Sequence, residues 1–176
     1  MSSSSDSSES SVKPIAVIGM GNPLMSDEGV GVRIIASLQA AELANRVDIL
    51  DLGTSSMRAV HALEGRDAVV FVDCALMGTA PGTIRRFTPE EVESRKAQPR
   101  LSLHEGDLLN TIALARRLGT APPTIVIFGI EPDLIEPGES LSAALACHLE
   151  DYVVAIQQEV ARIETKDPQN VAFVIE

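Results

Sequence analysis

The stretch Ile15-Ala16-Val17-Ile18-Gly19-Met20-Gly21-Asn22-Pro23 decides the fold. Ile15 to Ile18 is a short apolar run, bounded at its end by glycine and proline, and this is the pattern of a buried strand. From Asp27 the period changes. Val30, Ile34, Ile35, Leu38 and Ala41 recur at spacings of three and four, which makes one apolar face of a helix. Ser26 is the expected N-cap, and Asp27 and Glu28 suit the positive end of a helix.

The same alternation continues along the chain. Val47 to Leu52 reads as a second strand, closed by Gly53-Thr54. A short helix with Met57, Val60 and His61 follows and ends at Gly65. Ala68 to Val72 is uninterruptedly apolar, as a parallel strand buried on both faces should be, and Asp73-Cys74 terminates it. Thr83 to Phe87 reads as an edge strand with Arg85 and Arg86 partly solvated. Glu90 to Arg100 reads as a loop with a short helical turn. Ser102-Leu103-His104-Glu105 has the spacing of a capping box. The helix it opens carries Leu108, Leu109, Ile112, Ala115 and Leu118. Thr124 to Phe128 is a further buried strand, leading into Gly129-Ile130-Glu131-Pro132. A long helix runs from about Ser140, with Leu141, Leu145, Leu149, Tyr152, Val153, Ile156, Val160 and Ile163 in phase. The final Val-Ala-Phe-Val-Ile fits an edge strand or a loosely packed tail. Strands alternating with helices predict an α/β three-layer sandwich: a twisted, largely parallel five-stranded sheet with helices on both faces. Ligands of such sheets sit beyond the carboxyl ends of the strands.

The chain has 176 residues, of which 45% are hydrophobic and 22% charged, enough for one domain with a real core. That domain is expected at residues 13–166. Residues 1–12 read as a disordered Ser-rich leader and residues 167–176 as a C-terminal tail. Fourteen Lys and Arg against 25 Asp and Glu leave a net charge of −11, which argues against a nucleic-acid partner. No apolar run approaches the roughly 20 residues that span a bilayer, so no membrane partner is expected. The leader has neither the basic start nor the apolar stretch of an export signal, which predicts a cytoplasmic protein with reduced thiols. Cys74 and Cys147 cannot form a disulfide framework.

The residues at the strand ends carry the chemistry. Gly21, Asn22, Asp27 and Glu28 follow the first strand, Gly53 and Thr54 the second, and Asp73 the third. His104 opens a helix. In a parallel sheet these groups converge on one rim. Carboxylates with an imidazole suit a borderline divalent ion such as zinc or nickel. They equally suit general acid–base hydrolysis of an amide. Each acid also has a bland reading: Asp27 and Glu28 as helix N-terminal acids, Asp73 as a turn. Gly19-Met20-Gly21 begins like a dinucleotide fingerprint, but Leu24 stands where the third glycine belongs and no Walker lysine follows. Cys74 with His104 as its base would make a cysteine hydrolase, against the simpler reading of Cys74 as a small buried hydrophobe. Cys147 is expected in the core and His61 in a structural role.

Residues Ile15 to Ile35, IAVIGMGNPLMSDEGVGVRII, resemble the opening of the hydrogenase maturation proteases, which follow G-x-G-N-x-L-x-x-D-[DE]-x-x-G. Leu50-Asp51-Leu52-Gly53-Thr54, Val72-Asp73-Cys74, His104, Gly129-Ile130-Glu131-Pro132 and the terminal helix continue the likeness over about Pro14 to Glu164. The resemblance implies an aspartic-type endopeptidase that removes the C-terminal extension of a nickel–iron hydrogenase large-subunit precursor after nickel insertion. It places the metal contacts on Glu28, Asp73 and His104 and implies a supporting role for Asp27. Catalysis is then expected from Asp27, Glu28, Asp73 and His104, in a substrate cleft shaped by Gly21, Asn22, Gly53 and Thr54. The nickel belongs to the substrate and is not a resident cofactor. A non-catalytic nickel-binding chaperone would use the same three metal contacts.

Overall fold

The computed structural model describes residues 12–95, 102–103, 105–165 and 174–175. The expected leader, except for Val12, most of the expected tail, and His104 lie outside them. The strands are β1 (Ile15–Met20), β2 (Asp48–Gly53), β3 (Ala68–Leu76), β4 (Ile84–Phe87), β5 (Ser102–Leu103), β6 (Thr124–Ile130) and β7 (Val174–Ile175). The helices are α1 (Val30–Gln39), α2 (Ser56–Leu63), α3 (Pro89–Arg95), α4 (Glu105–Leu118), α5 (Ala143–Ala146) and α6 (Leu149–Glu164). The sheet order is β2-β1-β3-β6-β4-β7, with β5 attached to the end of β3. β2, β1, β3 and β6 are parallel; β4 and β7 run against them.

The period-two alternation of the strands separates two apolar layers. Val17, Val70, Val72, Val126 and Phe128 face α1 and α6 with Ile34, Ile35, Tyr152 and Ile156. Ile18, Val69, Phe71, Ile125 and Ile127 face α2 and α4 with Leu63, Leu108 and Ile112. A strand buried on both sides must be apolar at nearly every position, and β1 and β3 are. The five expected strands and the helices on both faces are therefore present.

Several local expectations change. β3 does not end at Asp73 but runs on to Leu76, because β5 pairs antiparallel with Ala75 and Leu76. Ser102, expected to cap a helix, lies in that added strand. Ser26 caps nothing. It sits inside a 3-10 turn, Ser26–Gly29, at φ +48°, and its hydroxyl donates to Glu136 O at 3.0 Å. The long terminal helix is broken at Cys147 and His148, so Ser142 caps α5 and α6 starts afresh at Leu149. Cys147 is exposed rather than in the core, since its position falls in that break. Residues 89–95 form a helix, α3, where a loop with one turn is expected. β4 is covered by β7, which resolves Val174–Ile175 as an edge strand. His61 lies on the exposed side of α2.

Arg86 of β4 and Arg162 of α6 converge on the buried Glu159. Arg86 Nε and Nη2 donate to its two oxygens at 3.1 and 3.2 Å, and Arg162 donates to both as well. Burial alone would raise the Glu159 pKa, but the hydrogen bonds from Arg162 and Arg86 outweigh it and hold the carboxyl below its ordinary 4.5. A carboxyl depressed in this way stabilises the fold above its unfolded pKa, and that contribution is lost as pH falls through the native value. Glu159→Gln should therefore lower unfolding free energy by about 3 kcal/mol near neutral pH, since it leaves two arginines without their buried anion. Urea unfolding should show the deficit shrinking as pH is taken from about 7 to about 3.

Candidate functional site

Two glycines let the first loop settle onto the strand ends. A Cβ on Gly31, in the first turn of α1, would lie 2.4 Å from both Met20 O and Val72 O. No other residue allows α1 to start that close to β1 and β3. Gly21 has φ +118°, and a Cβ there would lie 2.0 Å from Glu28 O and 3.8 Å from Asp73 Oδ1. The main-chain carbonyl of Glu28 and the carboxylate of Asp73, far apart in the chain, thus both flank one glycine at the end of the sheet. Gly21 N also donates to Gly53 O at 3.0 Å, which ties the loop after β1 to the loop after β2. Asn22 makes the turn itself: its Oδ1 accepts from Leu24 N at 3.0 Å. Thr54 is exposed beside Gly53.

Asp27 is 0% exposed and makes the longest-range connection. Its Oδ2 accepts from Asp133 N at 3.0 Å and Leu134 N at 2.9 Å, and its Oδ1 from Ser142 N at 2.7 Å. Three amide donors satisfy a buried carboxylate without a cation. Main-chain bonds extend the seam: Ser26 N to Gly138 O, Asp27 N to Leu134 O and Gly138 N to Leu24 O, at 2.8, 3.2 and 2.9 Å. The loop after β6 is thereby sewn to the loop after β1. β3 lies between those two strands, so the seam crosses the end of the sheet close to Asp73.

Asp73 is buried on the α2 and α4 side of β3, in phase with Val69, Phe71 and Ala75. Its Oδ1 accepts from Cys74 N at 2.8 Å. Its register partner on β6 is Gly129, whose missing Cβ leaves room that a side chain would fill against Ala75. Glu131 is a fourth buried acid, which the sequence reading left without a role. Its Oε2 accepts from Met77 N, Thr79 N and Thr79 Oγ1 at 2.6, 3.1 and 3.1 Å and so anchors the loop after β3. The acid-then-proline pattern of Glu131-Pro132 was visible, but its partners, more than fifty positions away, were not.

Cys74 reports on this concentration of charge. Its thiol is pushed well above the ordinary range, first by burial and then by Asp73, Glu28, Asp27 and Glu131. A thiol held protonated by burial and by four nearby acids is a poor nucleophile, and this removes the support for a cysteine hydrolase. The loops at this rim, residues 21–29, 77–83 and 131–142, contain no Lys or Arg. Among the described residues, no group of three His, Cys, Asp or Glu side chains is placed to hold a metal ion. Of the three expected metal contacts, Asp73 and the turn carrying Glu28 lie beside Gly21 at the same end of the sheet, and His104 lies outside the described residues. Its neighbour Leu103 pairs with Ala75, two positions beyond Asp73.

The profile of the hydrogenase maturation protease family matches residues 32–159. The matched part includes Asp73 and His104 and begins just after Glu28. The chain is 31% identical over 151 residues to the hydrogenase 2 maturation protease of Escherichia coli strain K12, covering 85% of this chain and 90% of that protein. It is 35% identical over 129 residues to the hydrogenase expression/formation protein HupD of Thiocapsa roseopersicina, covering 72% of this chain and only 58% of that protein. Among solved structures, the hydrogenase maturating endopeptidase HybD from E. coli superposes with a TM-score of 0.72 at 27% identity, over 92% of this chain and 96% of that one.

Asp27→Asn replaces one acceptor oxygen by an amide donor that faces backbone N–H groups. It should cost about 1–3 kcal/mol and speed amide exchange at Asp133, Leu134 and Ser142, measured by thermal unfolding and hydrogen exchange. Asp51→Asn, at an exposed acid bonded only locally to Gly53 N, should leave both nearly unchanged.

Proposed function

The chain belongs to the hydrogenase maturation protease family, and from that membership we propose that it removes the C-terminal extension of a nickel-loaded nickel–iron hydrogenase large-subunit precursor. The observation that carries this reading is that the turn bearing Glu28 and the Asp73 carboxylate both flank Gly21 at the end of the sheet, with both acids acting on Cys74. Buried like charges at one rim raise each other's cost, and a divalent ion held between them would lower it. Oxygen donors with one imidazole suit nickel, and His104 would complete the set. The metal comes with the precursor and leaves with the product, so it is part of the substrate. Bound there, it polarises a carbonyl or a water. The chain's own residues do the rest. Glu28, from the turn after β1, and Asp73, from within β3, hold the metal-bearing segment. Asp27 acts as a positioning residue, because both its oxygens are taken by the backbone of the loop after β6. Gly21 and Gly53 keep the floor of the cleft free of side chains.

This arrangement supports specificity by differential affinity. A precursor without nickel lacks the contact that offsets carboxylate repulsion, and it binds less well. No helix is long and apolar enough to cross a membrane among the described residues. A cytoplasmic site of action fits a precursor that is processed during its maturation.

The test mixes the protein with nickel-loaded and nickel-free precursor and reads the mass of each. Cleavage is expected only in the loaded sample. Glu28→Gln, Asp73→Asn and His104→Ala should each slow it roughly 100-fold or more, through displacement of the reacting group. Cys74→Ser should retain activity. Precursor bound but unchanged in mass would leave a nickel-binding chaperone instead.

A further inference from the structure

The seam that fixes Asp27 also raises three large apolar side chains into solvent. Leu24 is 60% exposed, Leu134 40% and Ile135 45%. Single exposed leucines need no explanation, but these three share one hydrogen-bonded element. Leu24 O accepts from Gly138 N, Leu134 N donates to Asp27 Oδ2 and Leu134 O accepts from Asp27 N. Ile135 follows directly. The 3-10 turn in the same element carries Glu28. Their backbones are already fixed, so seating a ligand on them orders little more of the chain.

We propose that Leu24, Leu134 and Ile135 form an apolar ledge that takes an uncharged side chain of the precursor segment flanking the scissile bond. The proposal rests on the peptidase reading above and names how the same site selects its substrate. The occupant is identified by chemistry. The ledge is apolar, and its two loops bear Asp27, Glu28, Glu131, Asp133, Glu136 and Glu139 with no Lys or Arg. An extended segment with an apolar residue fits; an acidic one is repelled. Leu134 is hydrogen-bonded to Asp27, the residue before Glu28, and Leu24 leads into the same turn, so a segment lying on the ledge is the one beside the bond that Glu28 reaches.

The experiment measures steady-state cleavage of nickel-loaded precursor by Leu24→Ser, Leu134→Ser and Ile135→Ser, singly and combined. Thermal unfolding and sedimentation accompany it. The combined variant should raise KM roughly tenfold or more, hold kcat within about twofold and unfold at the wild-type temperature, because the groups removed are exposed. Leu24→Met with Leu134→Met and Ile135→Val should keep the wild-type KM. Placing Asp at the precursor's flanking apolar position should raise KM for the wild type as well. An unchanged KM in the combined variant, or a loss confined to kcat, overturns the ledge while leaving the peptidase reading intact. A wild-type dimer abolished by the serine substitutions overturns it in favour of a contact between copies. A wild-type protein that leaves the loaded precursor uncut overturns the peptidase reading and the ledge with it.

Discussion

Three backbone amides on one carboxylate hold the working end of this molecule together. Asp27 gathers Asp133, Leu134 and Ser142, which lie 106 to 115 positions away along the chain. The loops after β1 and β6 take their places from that contact. It fixes the 3-10 turn carrying Glu28 and stretches the loop after β6 over the end of β3. It also holds the start of α5 through Ser142. A side chain exposed to solvent could not do this, because water would compete for every donor. At 0% exposure the exchange with water is blocked, and each amide would be orphaned without the acid.

The same logic explains how four acids can be buried within reach of one another. Asp27 and Glu131 each place their charge against backbone and hydroxyl donors, Asp27 on three amides and Glu131 on two amides and a threonine. Neither depends on a cation. They act as fasteners for the loops after β6 and β3. Their field remains, and at Cys74 it adds to burial and to the charges of Asp73 and Glu28, which do most to keep the thiol protonated. A rim with this field and no Lys or Arg in its main loops favours a positively charged visitor.

The fold was legible because its signals are local. The apolar run of β1, the change of period at Asp27 and the nearly unbroken burial of β3 each occupy a few consecutive residues. Glu28 and Asp73 were legible for a related reason: the topology of a parallel sheet sends every strand's carboxyl end to one rim. Ser26 was misread as a helix cap, and the partners of Asp27, expected in a supporting role, were not foreseen, because an acid and a serine before an apolar helix look the same whether they cap it or grip a distant loop. Only the partners differ, and those lie a hundred positions away. Glu131 and the Glu159 pair were hidden similarly, as were Arg86 and Arg162. An edge strand with two arginines reads as solvated until a buried glutamate is found across from it. The extension of β3 beyond Asp73 depended on a two-residue strand too short to carry a period.

Magnitudes decide which contact selects the substrate. Burying what remains exposed of three aliphatic side chains is worth about 1 kcal/mol each, or about 3 kcal/mol together. Association and ordering cost at least about 4 kcal/mol before any contact is made. The ledge alone therefore cannot hold a flexible segment at ordinary protein concentrations, where about 8 kcal/mol is needed for micromolar binding. It can only choose among segments already held by something stronger. In the proposed reaction, carboxylates and an imidazole around the substrate's divalent ion would provide that stronger hold, and only when the ion is present. Recognition is then ordered by energy rather than by geometry. On that proposal the metal would decide whether the precursor stays, and the apolar surface which bond lies over the carboxylates while it does. A ledge strong enough to bind by itself would keep metal-free precursor in the site and abolish the discrimination, so its modest size is what the proposed reaction requires.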